Sequence, residues 1–379
     1  MQYIGLDLHK ASFSLCVLSD DGEMLLQQTR TTSGEVLIRL VSAFAGAKTV
    51  AVEESTLADW AFRLLSPHAT VIVADPRHNR WIAGDEKIND EAAARKLAEL
   101  LRAGLLKPVH HSQSLERQEF KELVQTYHDL SKQITRHKNK LKAKFRRRGI
   151  PCTGSAVYGE QGREAWLTKL PSAGARLQVQ LLWDTLDHLL SQQGDLRRKL
   201  ARLAKQFVQV DRFQALPGVG LIRAATFFAF VDTPHRFATK SKLWTYCCLG
   251  IAKAKSGQTS GPEHLTYFGN RVLKDALKGA ALSAVHASDN PFAEKYRRQV
   301  VDKKAPELAL LDTARSIAST LWAMWRRDEE YQPNRPSPQQ WRRVATGSAH
   351  NTATTTATAS SSETAKTTAT TGAAMHTNA

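Results

Sequence analysis

Met1-Gln2-Tyr3-Ile4-Gly5-Leu6-Asp7-Leu8-His9-Lys10 opens the chain and decides how the rest is read. It is an apolar run of strand type that holds one carboxylate, Asp7, with a basic pair directly after it. An acid inside an apolar strand is costly unless something neutralises it. A second apolar run, Thr49-Val50-Ala51-Val52, ends in Glu53-Glu54, and a third acid, Asp90, stands at the start of a helical pattern. Neighbouring residues on a strand point to opposite faces, so only one of Glu53 and Glu54 can join Asp7. Three acids, each beside an apolar element, predict a divalent-metal site on a rigid sheet. Mg²⁺ suits it, because this ion takes oxygen ligands and keeps several waters. Two such ions about 4 Å apart stabilise both the attacking and the leaving oxygen in phosphoryl transfer.

Outward from this strand, residues 1 to about 110 alternate strands and helices. Strands are predicted at Tyr3 to Leu8, Ser12 to Leu18 and Met24 to Thr29, with Asp20-Asp21-Gly22 as the turn between the last two. A helix from Ser33 to Phe44, a strand over Val50 to Glu54, a helix from Leu57 to Leu65, a strand at Val71 to Ala74 and a helix from Glu86 to Leu105 follow. Three leading strands and then alternating helices and strands is the order of an α/β, RNase H-like sheet. Residues 113–208 read as a helical, coiled-coil arm. One long helix over 115–148 has apolar positions at Phe120, Leu123, Tyr127, Leu130, Ile134, Leu141 and Phe145. A second stripe runs from Leu177 to Leu190, is broken at Gly194-Asp195, and resumes from Leu196 to Phe207. Residues 209–330 form a third, mostly helical region. From 331 to 379 the composition drifts into Ala, Thr and Ser with little apolar bulk, which predicts a disordered tail.

The 379-residue chain is 42% hydrophobic, enough for a real core, and carries 53 Lys and Arg against 36 Asp and Glu. That excess favours a polyanionic partner. Its four cysteines, Cys16, Cys152, Cys247 and Cys248, fit neither a disulfide framework nor a zinc pattern, so a reducing compartment is expected. No apolar run reaches the roughly 18 residues of a membrane span, and no signal-peptide pattern opens the chain. The sequence therefore reads as cytoplasmic.

The positive charge is clustered. Between Lys132 and Arg148 there are nine cations and no acid, including Lys138, Lys140, Lys142, Lys144, Arg146, Arg147 and Arg148. Such a helix neutralises phosphates with sequence-independent, salt-sensitive affinity. Leu216-Pro217-Gly218-Val219-Gly220 looks like the turn of a helix-hairpin-helix, in which Gly218 and Gly220 let the backbone approach a phosphate. Lys253-Ala254-Lys255-Ser256-Gly257-Gln258-Thr259-Ser260-Gly261 reads as a polar loop, where a serine between lysines can attack a phosphodiester once activated. Leu265-Thr266-Tyr267-Phe268-Gly269-Asn270-Arg271 then leads into a helix at Val272.

Together these pieces resemble the DEDD insertion-sequence transposases, a family that includes Piv-type invertases and recombinases guided by a bridge RNA. The resemblance covers about residues 1 to 327. It rests on Gly5-Leu6-Asp7-Leu8-His9-Lys10, Glu54-Ser55-Thr56, Asp75-Pro76, Asp90 with Leu97-Ala98-Glu99-Leu100-Leu101, the Pro-Gly turn at 216–220, Leu243-Trp244-Thr245-Tyr246-Cys247-Cys248-Leu249-Gly250, Ser256-Gly257 and the segment 265–271. It implies a RuvC-like domain at 1–112, the arm, and a C-terminal transposase domain at 209–330. It further implies Mg²⁺ held by four carboxylates, donor and target DNA, a structured guide RNA, and a homo-oligomer. Asp7, Glu54 and Asp90 match the first three acids, Glu54 because the family's Glu stands directly before a small residue and Thr. Ser256 matches the serine that becomes joined to DNA, with Thr259 and Ser260 as substitutes. Lys253, Lys255 and Arg271 flank it as phosphate contacts. The chain departs from the family at the fourth acid: the pattern Asp-x-x-Asp-Ala becomes Asp90-Glu91-Ala92-Ala93-Ala94. A lost carboxylate weakens metal binding, so a catalytically impaired nucleic-acid-binding form is the alternative expectation.

Overall fold

Alternation along Gln2–Leu8 (β1) sends Ile4, Leu6 and Leu8 to one face of a sheet and Tyr3, Gly5 and Asp7 to the other. The computed structural model describes residues 1–76, 89–256, 259–287 and 289–333, and the backbone alone at 253–256 and 259–262. Strand Ser12–Leu18 (β2) pairs antiparallel with β1, and Met24–Thr31 (β3) pairs antiparallel with β2 around a turn in which Gly22 takes φ +92°. Strands Lys48–Glu53 (β4) and Thr70–Ala74 (β5) add parallel on the other side, giving the order β3-β2-β1-β4-β5. Helices Gly34–Ser42 (α1) and Ala58–Leu65 (α2) cover the Ile4–Leu6–Leu8 face. Asp90–Arg102 (α3) covers the other, close enough that a Cβ on Gly5 would stand 2.0 Å from the Ala94 carbonyl oxygen. The Asn89 side chain accepts from Ala92 N at 2.8 Å and so fixes where α3 begins.

Helix Leu115–Arg146 (α4) is capped by Ser114 and followed by the short helix Arg163–Leu167 (α5). It packs antiparallel on Ala173–Ala204 (α6): Ile134, Leu141 and Phe145 meet Val179, Trp183, Leu186 and Leu189. At the other end, Phe120 and Val124 join Leu196 and Leu200 in the C-terminal core. The expected break at Gly194-Asp195 does not occur, and α6 runs straight through it. One helical glycine costs only about 1 kcal/mol, less than burying Leu196 and Leu200 on the same stripe returns.

Helices Val208–Gln214 (α7), Leu221–Val231 (α8), Lys240–Tyr246 (α9), Arg271–His286 (α10), Pro291–Val301 (α11) and Pro306–Arg327 (α12) surround the C-terminal core. The segment read as a loop is instead a hairpin, Ile251–Ser256 (β6) against Thr259–Leu265 (β7). Met1–Tyr331 form one compact unit, and the expected disordered tail lies, from 334 onward, outside the described residues. No described helix is long and apolar enough to cross a membrane.

Candidate active site

The α3 face of the sheet brings three donors together. Asp7 lies near the end of β1, His9 follows it, and Asp90 is the first residue of α3. One ligand atom from each lies within 4.8 Å of the others. His9 Nε2 stands 3.4 Å from Asp7 Oδ2 and 3.9 Å from Asp90 Oδ1. The Asp7 side chain is 19% exposed, while those of His9 and Asp90 are more than half exposed, so the group is anchored on one side and open to solvent on the other.

Burial raises the Asp7 carboxyl above its usual value; the neighbouring His9 lowers it and Asp90 raises it again. Burial, followed by the charge of Asp7, raises Glu53 in the same way. That coupling follows from register. β1 and β4 are parallel with Leu6 beside Val52, so the next pair along the strands is Asp7 and Glu53. Ala51 packs on Leu97 and Leu101 of α3, which puts Glu53 on the same side.

Glu54, expected beside Asp7, does not share that face in this structure; Glu53 does. Glu54 turns to the opposite face, where its Oε2 lies 2.8 Å from His111 Nε2, and His111 Nδ1 is 3.6 Å from Asp59 Oδ1. Glu54, Asp59 and His111 line a separate cleft of about 1010 Å³ that reaches Gly269 and Asn270 in the C-terminal region.

Ala93 occupies the position of the missing fourth acid, and Glu91 does not replace it: its Oε1 accepts from Thr29 Oγ1 at 3.1 Å, toward β3. His9 is the additional donor, and sequence reasoning passed over it. The signal was present, since residues i and i+2 at a strand end share a face. Two carboxylates, an imidazole and a nearby third acid, whose like charges raise one another, suit a divalent cation.

The basic helix divides into two sets. Lys138 and Lys142 each place Nζ 5.1 Å from the Tyr158 ring centroid, and Lys142 donates to the Gly154 carbonyl at 2.6 Å. Lys144 donates to Gln178 at 3.3 Å, and Arg148 to the Lys144 carbonyl at 2.8 Å. These four tie the arm together, whereas Lys140, Arg146 and Arg147 are exposed. Gly218, read as a phosphate contact, takes φ +81° and lies against α10, where a Cβ would stand 2.2 Å from the Ala280 carbonyl oxygen. Gly220 caps α8 in open space. Arg271 is exposed at the start of α10. Ser256 ends β6 opposite Thr259; its side chain, with those of Lys253, Lys255, Thr259 and Ser260, lies outside the described residues.

A mixed sheet bearing acids at the ends of β1 and β4 and at the start of α3 defines an RNase H-like domain of the DNA-transposing class. A family model for transposases of the DEDD, IS110 type matches residues 4–147, and one described as "Transposase IS116/IS110/IS902 family" matches 210–297. The chain belongs to the IS110 family of DEDD transposases. It is 21% identical over 337 residues to the transposase for insertion sequence element IS1111A of Coxiella burnetii, covering 87% of this chain and 91% of that one. It is 33% identical over 123 residues to an uncharacterized 43.6 kDa protein of insertion element IS110 from Streptomyces coelicolor, 32% of this chain and 30% of that one. The protein is an insertion-sequence transposase acting on DNA.

Proposed function

We propose that this transposase exchanges DNA strands through a covalent serine–DNA ester. The supporting observation is the Asp7–His9–Asp90 donor group, with Glu53 on the same face, inside the region matched by the DEDD family model. The Ser256 hydroxyl attacks phosphorus, a Ser–O–P ester forms, and the displaced strand leaves with a free hydroxyl after taking up a proton. The hydroxyl of the incoming strand then attacks the ester and releases Ser256. One phosphoester is exchanged for another at each step, so no nucleotide cofactor is consumed. Asp7, Asp90 and Glu53, with His9, would hold Mg²⁺; when bound, this ion stabilises charge on the displaced oxygen. Ser256→Ala tests the nucleophile: nicked target DNA should remain joined to wild type and not to the variant. Equal trapping by both removes Ser256 from the reaction. Parallel Glu53→Gln and Glu54→Gln variants decide the third acid, with the larger loss expected at Glu53.

Target choice is assigned to a structured RNA, on the resemblance alone, with the exposed Lys140, Arg146 and Arg147 offering phosphate contacts. The protein works as a homo-oligomer holding donor and target DNA together. Removing one such cation should lower the salt slope of duplex binding by about 0.9.

Ala93 supports a second reading, a family member that binds nucleic acid but exchanges strands poorly. Ala93→Asp restores the fourth carboxylate beside Asp90. A large gain in exchange supports impairment; equal activity in both forms removes this reading.

A further inference from the structure

Tyr267 and Phe268 are 69% and 77% exposed, among the most exposed large apolar side chains described. Aromatic residues bury large apolar areas when they can, so two adjacent rings held in solvent require a cause. The backbone supplies it. Thr266 N donates to the Gly250 carbonyl at 2.9 Å, and Asn270 N donates to the Tyr246 carbonyl at 2.6 Å. Between these tethers, Gly269 takes φ +148° and lies so close to the end of α9 that a Cβ would stand 2.5 Å from the Tyr246 carbonyl oxygen. The segment is pinned at both ends, and the two rings project into solvent between the pins. His264 stands behind Tyr267, ring centroids 5.0 Å apart at 31°.

Directly after the rings, Arg271, Lys274 and Lys278 occur at i, i+3 and i+7 on α10, and so share one helix face. Arg271 and Lys278 are exposed. Stacking rings beside a row of cations is how proteins hold unpaired nucleic acid, with phosphates on the charges and bases on the rings. Strand exchange by a transposase must leave bases unpaired near the cut, and these rings sit at the foot of the hairpin that carries Ser256.

We propose that Tyr267 and Phe268, backed by His264 and continued by the Arg271–Lys274–Lys278 face, form a stacking platform for the bases of an unpaired DNA strand. The proposal rests on the transposase reading and adds to it a contact made only with DNA whose pairing has opened.

The test uses the full-length protein with a single-stranded DNA containing 2-aminopurine, the matching duplex and an oligoribonucleotide of the same sequence. Phe268→Ala and Phe268→Leu should weaken single-strand binding by roughly 5- to 150-fold, the span that one lost stack represents. Both should abolish 2-aminopurine quenching and leave duplex affinity within about twofold. Phe268→Trp should retain wild-type binding, which separates loss of the ring from damage to the fold. Arg271→Ala should instead reduce the single-strand salt slope by about 0.7. Wild-type affinity and quenching in both Phe268→Ala and Phe268→Leu would overturn the platform. So would a Phe268 dependence seen only with RNA, or a fall in sedimentation coefficient in Phe268→Ala, which would mark the rings as a contact between copies. If wild type binds duplex but not single strands, the platform fails and the transposase reading stands; if it binds neither, both fail.

Discussion

On one face of the sheet, Ile4, Leu6 and Leu8 meet α1 and α2 through branched apolar side chains; on the other, Gly5 meets α3 through Ala94 and Ala98 at backbone distance. The same strands build both faces from alternate residues. The first has the volume of a conventional core. The second is smaller, with Gly5, Ala51, Ala94 and Ala98 among Cys16, Leu18, Leu97 and Leu101, and α3 lies close enough that its first residue, Asp90, reaches Asp7. Their acids differ as well. Asp7 and Glu53 are raised by burial and by like charge. Burial also raises Asp59 on α2, but hydrogen bonds from Arg63, Gln118 and His111 bring it below its usual value. One face holds the domain together, and the other accepts electrostatic cost to gather chemistry.

The largest expected effect is on stability. Leu6→Ala should lose about 2–5 kcal/mol in urea unfolding, while the folded protein keeps its Mg²⁺ affinity within about twofold. A strong loss of affinity would show that the faces are not separable. Gly5→Ala adds a single methyl group, yet should cost about 1–3 kcal/mol and also abolish cation binding, because α3 carries Asp90 away. Wild-type calorimetry for Gly5→Ala would break the comparison outright. Asp7→Asn should lower strand exchange more than about a hundredfold, since bound metal contributes several kcal/mol, and leave the melting temperature in chelator unchanged or higher.

The smallest effect is in pH. Asp59, with its folded value depressed, adds stability above the ordinary aspartate range, and this is lost as pH falls through its folded value. Asp7, with its folded value raised, takes stability away as pH climbs through the ordinary range toward its folded value. Asp59→Asn should therefore destabilise at pH 7 and converge with wild type in acid. Asp7→Asn in chelator should do no harm at pH 7. Parallel unfolding curves from pH 3 to 7 for both variants would contradict the assignment.

The strands were legible because short apolar runs bounded by turn residues report on a sheet, and the turn at Asp20-Asp21-Gly22 because few residues other than glycine tolerate φ +92°. Glu53 against Glu54 was not legible. The sequence shows that the two diverge, but the side each takes depends on the offset between β1 and β4, which strands far apart in the chain settle by packing. The packing of Gly218 was not legible for a similar reason: a helix from Val272 was expected, but its contact with this turn through Ala280 is set by packing between segments far apart in the chain. The hairpin at 251–265 looked like a loop because its lysines, serines and glycines carry little strand propensity; pairing such as Lys253 with Glu263 overrides that.

Helix α4 enters two cores. Phe120 and Val124 are walls of the C-terminal one, and Ile134, Leu141 and Phe145 are walls of the arm's. Its 32 residues make a strut about 48 Å long. A load on the basic tip is thus delivered as torque to the body, and melting either end strips a wall from the other, so the arm and the C-terminal region should denature in a single step.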